Sequence, residues 1–550
     1  MTREATMPEN EFDKALDRAP LTAQRHPLGI VVGGSLAEGL TVKLHPQSVL
    51  EDLAVGRYVV LRGQTGKTFF GMVTDIRLES LNPALSANPP AAEDEFSKQV
   101  FLGTMAYGTM HVSPMLVLEE GTREVRPIKT IPAHFSRVDE ASEAEVNLVF
   151  GEEDKLHFHI GSPLEMEDAR VNLDLSRLVE RSSGVFGKSG TGKSFITRIL
   201  LAGLIRSQIA SCLIFDMHND YGWAVRDEAG REFKGLRQLF DSRVAVYTLD
   251  PQTSRHRGSK IDGELRIGMD ELEPEDIELI AQLLPLNEVQ VGALYMLRRR
   301  LGKNWIARLL KEEPDADLQE MVDSERILQS TLSAIQRKFE MFRRLSFIQE
   351  HAPDKDPVEE IFATLDQGIS VVLEFGQHGN KLEAYMLMAN YLTRRIHARY
   401  VERKNRAAGG TAAEPKPLAI VIEEAHKFLD PALARFTIFG AIAREMRKYN
   451  VTLLVVDQRP SAIDEEVMSQ IGTRVTCLLD NEADVKAVLS GVSGAGGLRE
   501  VLARLDTRQQ ALILGHAVPM PVVVRTRDYD AALYVELAGS VKKPKGLYPD

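Results

Sequence analysis

Cysteine is nearly absent. The 550 residues include two, Cys212 and Cys477, and only two tryptophans. Each cysteine lies inside an apolar run, SCLIF and RVTCLL. Both read as buried, reduced thiols, which excludes a disulfide scaffold and a cysteine-rich metal site and fits a cytoplasmic protein. No apolar run reaches the roughly 18 residues that a membrane-crossing helix needs. The first twenty residues, MTREATMPENEFDKALDRAP, are polar and acidic and offer no apolar core for a secretory signal. An excess of positive charge is also missing: 67 Lys and Arg stand against 79 Asp and Glu, a net charge of -12. A nucleic acid would therefore have to be held by a local basic surface and not by the molecule as a whole. No internal repeat is found.

At this length the chain divides into two to four domains, and 44% hydrophobic residues is ordinary for a globular protein. Residues 1–26 read as a flexible leader. Residues 27–140 have all-β texture (GIVVGGS, LTVKLHP, GRYVVLRG, TFFGMVTDIRLES), as expected of a small barrel or sandwich. Within it, GQTGKT at Gly63–Thr68 mimics a phosphate loop, but Leu61 stands where glycine is required, so a hairpin turn is expected. Asn82–Glu95, rich in Pro and Ala, reads as a loop. LHFHI puts His157 and His159 on one face of a strand with no third ligand at useful spacing. From Val171 on, apolar strands such as CLIF, IVIEE and LLVVD alternate with helical segments, predicting an α/β core with a mainly parallel sheet over residues 141–270 and 364–535. Strand signals stop between 271 and 363, a helical insertion, and residues 536–550 form a tail.

Gly187–Ser194, GKSGTGKS, fits the phosphate-loop spacing, with a strand before it and an apolar-periodic helix from Phe195 after it. Backbone N–H groups of Gly187, Ser189, Gly190, Thr191, Gly192 and Phe195 are expected to face nucleotide phosphates. Lys193 supplies a charge for the β- and γ-phosphates, and the Ser194 hydroxyl a ligand for Mg2+. The second half is LAIVIEEAHKF. An apolar strand ending in two carboxylates offers Glu423 to Mg2+ and Glu424 as the base that polarises attacking water. Gln458, at the tip of VTLLVVDQRP, is placed to sense the γ-phosphate or orient water. FDMHNDY should lie at the same carboxyl edge of the sheet. Arg444 and Arg447, three apart in AREMRKYN, are candidate arginine fingers toward a neighbouring subunit; a solvated basic helix is the plainer reading. Arg298–Arg300, Arg337–Lys338 and Arg343–Arg344 are basic clusters that read first as solvated helix faces.

Taken together, the β-rich N-terminal region, GKSGTGKS, FDMHNDY, VIEEAHKFL, AREMRK and VVDQRPSAIDEEVMSQ resemble the HerA family of hexameric translocases, in the broad class of the FtsK-type DNA pumps. The resemblance implies a RecA-like P-loop ATPase core, an N-terminal β-barrel, ATP and Mg2+ as cofactors, a homohexamer, and double-stranded DNA as the track. It implies a nuclease or other effector partner, in DNA end processing or anti-phage defence, with no membrane. It also favours Arg447 over Arg444 as the finger, although Met446 departs from the family's usual glycine, and suggests Arg181 as a nucleotide contact. A competing expectation is an ATP-sensing scaffold with little motor activity, which the acidic balance favours.

Overall fold

The computed structural model describes residues 27–539 except 92, 103, 120–124, 165, 227–229, 282, 314, 436, 446–447, 493–494 and 508. The expected leader, most of the tail and Arg447 lie outside the described residues. The chain divides into two compact units, 1–142 and 143–550.

The first unit is a closed barrel. Its strands are β1 (Gly29–Ser35), β2 (Gly39–Leu44), β3 (Tyr58–Arg62), β4 (Thr68–Ser80), β5 (Ala106–Leu118), β6 (Val125–Pro127) and β7 (Arg137–Glu140). They run in the order β2-β1-β7-β3-β4-β5-β6, and an additional antiparallel pairing of β2 with β5 closes the ring. The alternating side chains Val31, Val42, Val59, Leu61, Phe69, Met110, Val112 and Val138 fill its interior. Long β4 shifts register at Phe70/Gly71 and Val73/Asp75, the bulges that let one strand bend around a small barrel. GQTGKT is the β3–β4 hairpin, with Gly63 N–H donating to Lys67 O at 2.8 Å. The expected loop at Asn82–Glu95 instead contains a short helix, Pro83–Ala87, because the Asn82 side chain caps Ala84 N–H and Pro83 suits the first helical position.

The second unit is built on a twelve-stranded sheet. Its strands are β8 (His157–Pro163), β9 (Val171–Asp174), β10 (Ser183–Phe186), β11 (Ser211–Asp216), β12 (Val244–Thr248), β13 (Gly263–Glu264), β14 (Ser370–Glu374), β15 (Leu418–Glu423), β16 (Val451–Asp457), β17 (Thr473–Thr476), β18 (Gln510–Gly515) and β19 (Val522–Thr526). The order is β13-β12-β14-β11-β15-β16-β10-β17-β18-β19-β8-β9. Pairing is parallel from β13 to β17 and antiparallel beyond. β11, β14, β15 and β16 are buried at every position, which is why they read as unbroken apolar runs and not as alternating strands.

Four helices matter for the site: α1 (Lys193–Ser207), α2 (Pro251–His256), α3 (Leu382–Ala408) and α4 (Ile438–Glu445). Between β13 and β14 lie the helices Glu288–Leu301 and Gln329–Arg343, among others. They pack around Trp305, Phe339 and Phe342, the first two rings 5.7 Å apart at 68° and the last two 5.1 Å apart at 81°. A buried Asp276 joins this region to α3 by accepting two bonds from Arg394, at 2.7 and 3.1 Å. Phe339→Ala should therefore cost about 3–5 kcal/mol locally. Hydrogen exchange should rise across Glu288–Leu301 and Gln329–Arg343 and stay unchanged in β11 and β15.

Candidate nucleotide site

The parallel strands place their carboxyl ends along one edge, and four neighbours, β14, β11, β15 and β16, end there in an acid: Glu374, Asp216, Glu423 and Asp457. The phosphate-binding sequence leaves β10 at the same edge, with Phe186 in register with Asp457. Gly192 caps α1 with φ +95°, in the left-handed region that L side chains resist. At Gly187 an added Cβ would come within 2.7 Å of the Cys477 Cβ, so only glycine lets the loop pass that buried thiol. Thr191 Oγ1 donates to Lys188 O at 2.7 Å, and the Lys193 ammonium donates to the same carbonyl at 2.8 Å. Lys188 itself pairs with Asp480 at 2.5 Å. Burial pulls the Lys193 ammonium below the usual lysine range, while Cys477, Glu424, Asp457 and Glu423 pull it back up. The loop and the acids thus share one electrostatic environment. Ser194 and Phe195 are half-buried at the start of α1, with Phe195 edge-on to Phe233 at 4.9 Å.

Glu423 is clamped twice. The Tyr221 hydroxyl donates to its Oε1 at 2.8 Å, and the Tyr385 hydroxyl accepts from its N–H at 3.2 Å and donates to its carbonyl at 3.1 Å. Its other oxygen, Oε2, is buried with no partner among the described residues. Burial first, then the Asp216 charge, pushes the Glu423 carboxyl up to about 8. Asp216 in turn accepts from the N–H groups of Asp220, Tyr221 and Gly222 at 2.6, 2.8 and 3.2 Å, folding FDMHNDY back under the strand ends and aiming Tyr221. Glu374 pairs in register with Asp216, takes a bond from Ser254 Oγ at 3.0 Å, and is pushed up to about 7, by burial before Asp216.

Glu424 follows with φ +49°, an uncommon conformation for a non-glycine residue. Gln458 holds it there, Nε2 donating to Oε1 at 3.1 Å. Behind it, Asp457 accepts from the His426 backbone N–H at 2.7 Å and faces His426 Nδ1 at 3.0 Å. The structure therefore brings Lys193, Glu423, Glu424 and Gln458 to one edge. Arg444 is engaged within its own chain, with Glu466 at 3.0 Å and Asp464 at 3.9 Å. Arg181 is exposed at the C-cap of Leu175–Glu180 and packs across Gly472. Glu374 and Tyr385 were not singled out from sequence, although VVLEF repeats the pattern of an apolar run closed by an acid. His157 pairs with Asp154, and burial and the Arg527 charge lower His159 to about 4. Among the described residues no cluster of three or more His, Cys, Asp or Glu is placed to hold a metal ion.

An orphan carboxylate oxygen on Glu423 and a hydroxyl on Ser194 at the head of α1 are the hard oxygen donors that Mg2+ accepts when nucleotide phosphates and water supply the rest.

Comparison with known proteins agrees with this geometry. Residues 158–396 match the family model "Helicase HerA, central domain", and residues 28–124 match the HAS barrel domain. The DNA double-strand break repair helicase HerA of Pyrococcus furiosus is 24% identical over 532 residues, 91% of this chain and 92% of that protein. The central region of this chain is thus of the HerA helicase type. The HerA of Sulfolobus acidocaldarius is 23% identical over 537 residues, 92% of this chain and 94% of that protein. Among solved structures, VirB4 of Thermoanaerobacter pseudethanolicus covers 70% of this chain and 99% of its own at 13% identity and a TM-score of 0.46. As a HerA-type protein with an intact phosphate loop, the chain is an ATP-hydrolysing P-loop enzyme.

The buried acids carry a pH signature. Glu374 titrates near 7 in the fold against an ordinary value of 4.5, so between those values the folded state holds a proton that the unfolded state has released. Stability should fall as pH rises through that window. Glu374→Gln should flatten the slope, read from urea midpoints at pH 5 and pH 8, and be relatively more stabilising at pH 8.

Proposed function

We propose that the protein is an ATP-driven motor on double-stranded DNA, assembled as a homohexamer in which each nucleotide site is completed by the next copy. The observation that carries this reading is the convergence of the phosphate loop, Glu423, Glu424 and Gln458 at one sheet edge, in a chain similar along nine tenths of its length to proteins named as DNA break repair helicases.

The backbone of Gly187–Gly192 and the first turn of α1 bind the phosphates, and Lys193 leaves the Lys188 carbonyl to meet them. Ser194 and Glu423 hold Mg2+, with Tyr221 fixing which carboxylate oxygen is available. The metal would supply positive charge against that developing on the transferring group. Glu424 takes the proton of the attacking water, and Gln458, bonded to it before nucleotide arrives, sets its position. Because Arg444 is engaged with Glu466 and Asp464, the finger role falls to Arg447 of the neighbouring copy.

The barrel unit is the docking platform for a nuclease or other effector in DNA end processing or anti-phage defence. Its support is a groove of about 430 Å³ lined by Leu50, Leu78, Leu85, Phe101 and Tyr107, beside the exposed Leu81 and Phe96. Among the described residues no helix is long and apolar enough to cross a membrane.

Glu424→Gln should still bind ATP while turnover drops by about 10²–10⁴-fold, the usual weight of a general base. Equal turnover in parent and variant rejects the assignment. Arg447→Ala should likewise bind without hydrolysing, and mixing the two inactive chains should restore part of the rate if sites are shared. Full-rate hydrolysis by a verified monomer contradicts the shared site.

A further inference from the structure

Most basic residues of the second unit are already engaged. Arg298 pairs with Glu273, Arg300 with Asp317 and Glu320, and Arg343 with Glu340, while Lys338 donates to Gln290 Oε1 and to the Pro285 carbonyl. The turn after β12 is different. The sequence RHRGSK, Arg255–Lys260, places four cations or potential cations in six residues, all exposed. Arg255, His256 and Lys260 have no acidic partner among the described residues. The turn is compact: Arg257 N–H donates to Thr253 O, Gly258 N–H to Arg255 O and Ser259 N–H to Ser254 O, at 3.0, 3.0 and 2.9 Å. In a chain of net charge -12 this turn is a local concentration of positive charge.

The turn also leaves the carboxyl edge of the sheet and is tied directly to the segments that hold the nucleotide acids. Arg257 Nη2 donates to Asn219 O at 2.8 Å, within FDMHNDY. Trp223 Nε1 donates to Lys260 O at 3.0 Å, two residues beyond Tyr221. Ser254, in α2, donates to Glu374, and Asn219 Oδ1 accepts from Gly376 N–H at 3.1 Å. From Arg257 the connection runs through Asn219 and the Asp216–Gly222 fold to Tyr221 and Glu423.

We propose that Arg255–Lys260 is a DNA-contacting turn: Arg255, His256 and Lys260 meet backbone phosphates of the duplex, and Arg257 and Trp223 pass the turn's position to the Tyr221–Glu423 pair. The proposal rests on the motor reading above and names the residues that touch the track. Contacts of this kind read charge and not sequence, so they are tolerant of DNA sequence and steeply salt-dependent.

The test uses the full chain with an ATP analogue and mixed-sequence duplex DNA across a salt series. Arg255→Gln/Lys260→Gln should bind more weakly on every sequence, with the log–log salt slope reduced by about 1 for each phosphate that is no longer neutralised. Hydrolysis without DNA should match the parent, and its response to DNA should be abolished. Arg299→Gln/Arg344→Gln removes equal charge from exposed positions elsewhere and should change neither. If the Arg255/Lys260 variant keeps the parental slope and affinity, or if the Arg299/Arg344 variant is weakened as much, the turn does not touch the duplex. Collapse of hydrolysis without DNA would assign the turn to the nucleotide site and reject the proposal. A parent that binds no duplex at low salt rejects the motor reading itself.

Discussion

A carboxylate buried at the end of an apolar strand must have its lost hydration offset, and the functional edge of this molecule is organised around meeting that demand at Glu423. Two buried tyrosines grip it, one on the carboxylate and one on the backbone. Asp216, itself buried, is compensated by three backbone N–H groups, and that compensation is what shapes FDMHNDY and aims Tyr221. One oxygen of Glu423 remains unsatisfied. That oxygen is open to a ligand, and the glycine-rich loop leaves the sheet only two strands away.

The same edge explains the division of labour between two adjacent glutamates. Glu423 completes β15 and points into the sheet end, whereas Glu424 breaks from the strand at positive φ and reaches Gln458 at the tip of β16. One acid is held by two buried tyrosines and the other, at positive φ, by the Gln458 amide. In the proposed mechanism such a pair would keep a metal ligand fixed while the base responds to the nucleotide. Lys193 bonds to its own loop carbonyl, a contact it would have to give up to reach a phosphate.

What the sequence disclosed depended on how local the signal is. The phosphate loop and the acid strand are contiguous, and each carries its chemistry within about ten residues. The parallel sheet was legible because strands covered on both faces lose polar alternation. Glu374 was not legible: it lies 158 positions after Asp216 in the chain and becomes its neighbour only because β14 pairs with β11. Arg298 and Arg300 looked like a solvated basic face because their acids, Glu273 and Glu320, come from other segments of the chain. The helix at Pro83–Ala87 was hidden by a proline that marks a loop in one context and a helix start in another.

Coupling between nucleotide turnover and the DNA track is what a motor requires and a nucleotide-sensing scaffold does not. Steady-state ATP hydrolysis by the full chain, measured in Mg2+ with and without linear duplex DNA at low salt, tests it most directly. The expected result is a rate that rises when duplex is added and returns toward the basal value as salt is raised. A Mg2+-dependent rate indifferent to duplex DNA at every salt concentration would contradict the motor and leave an ATPase that senses nucleotide without moving on DNA.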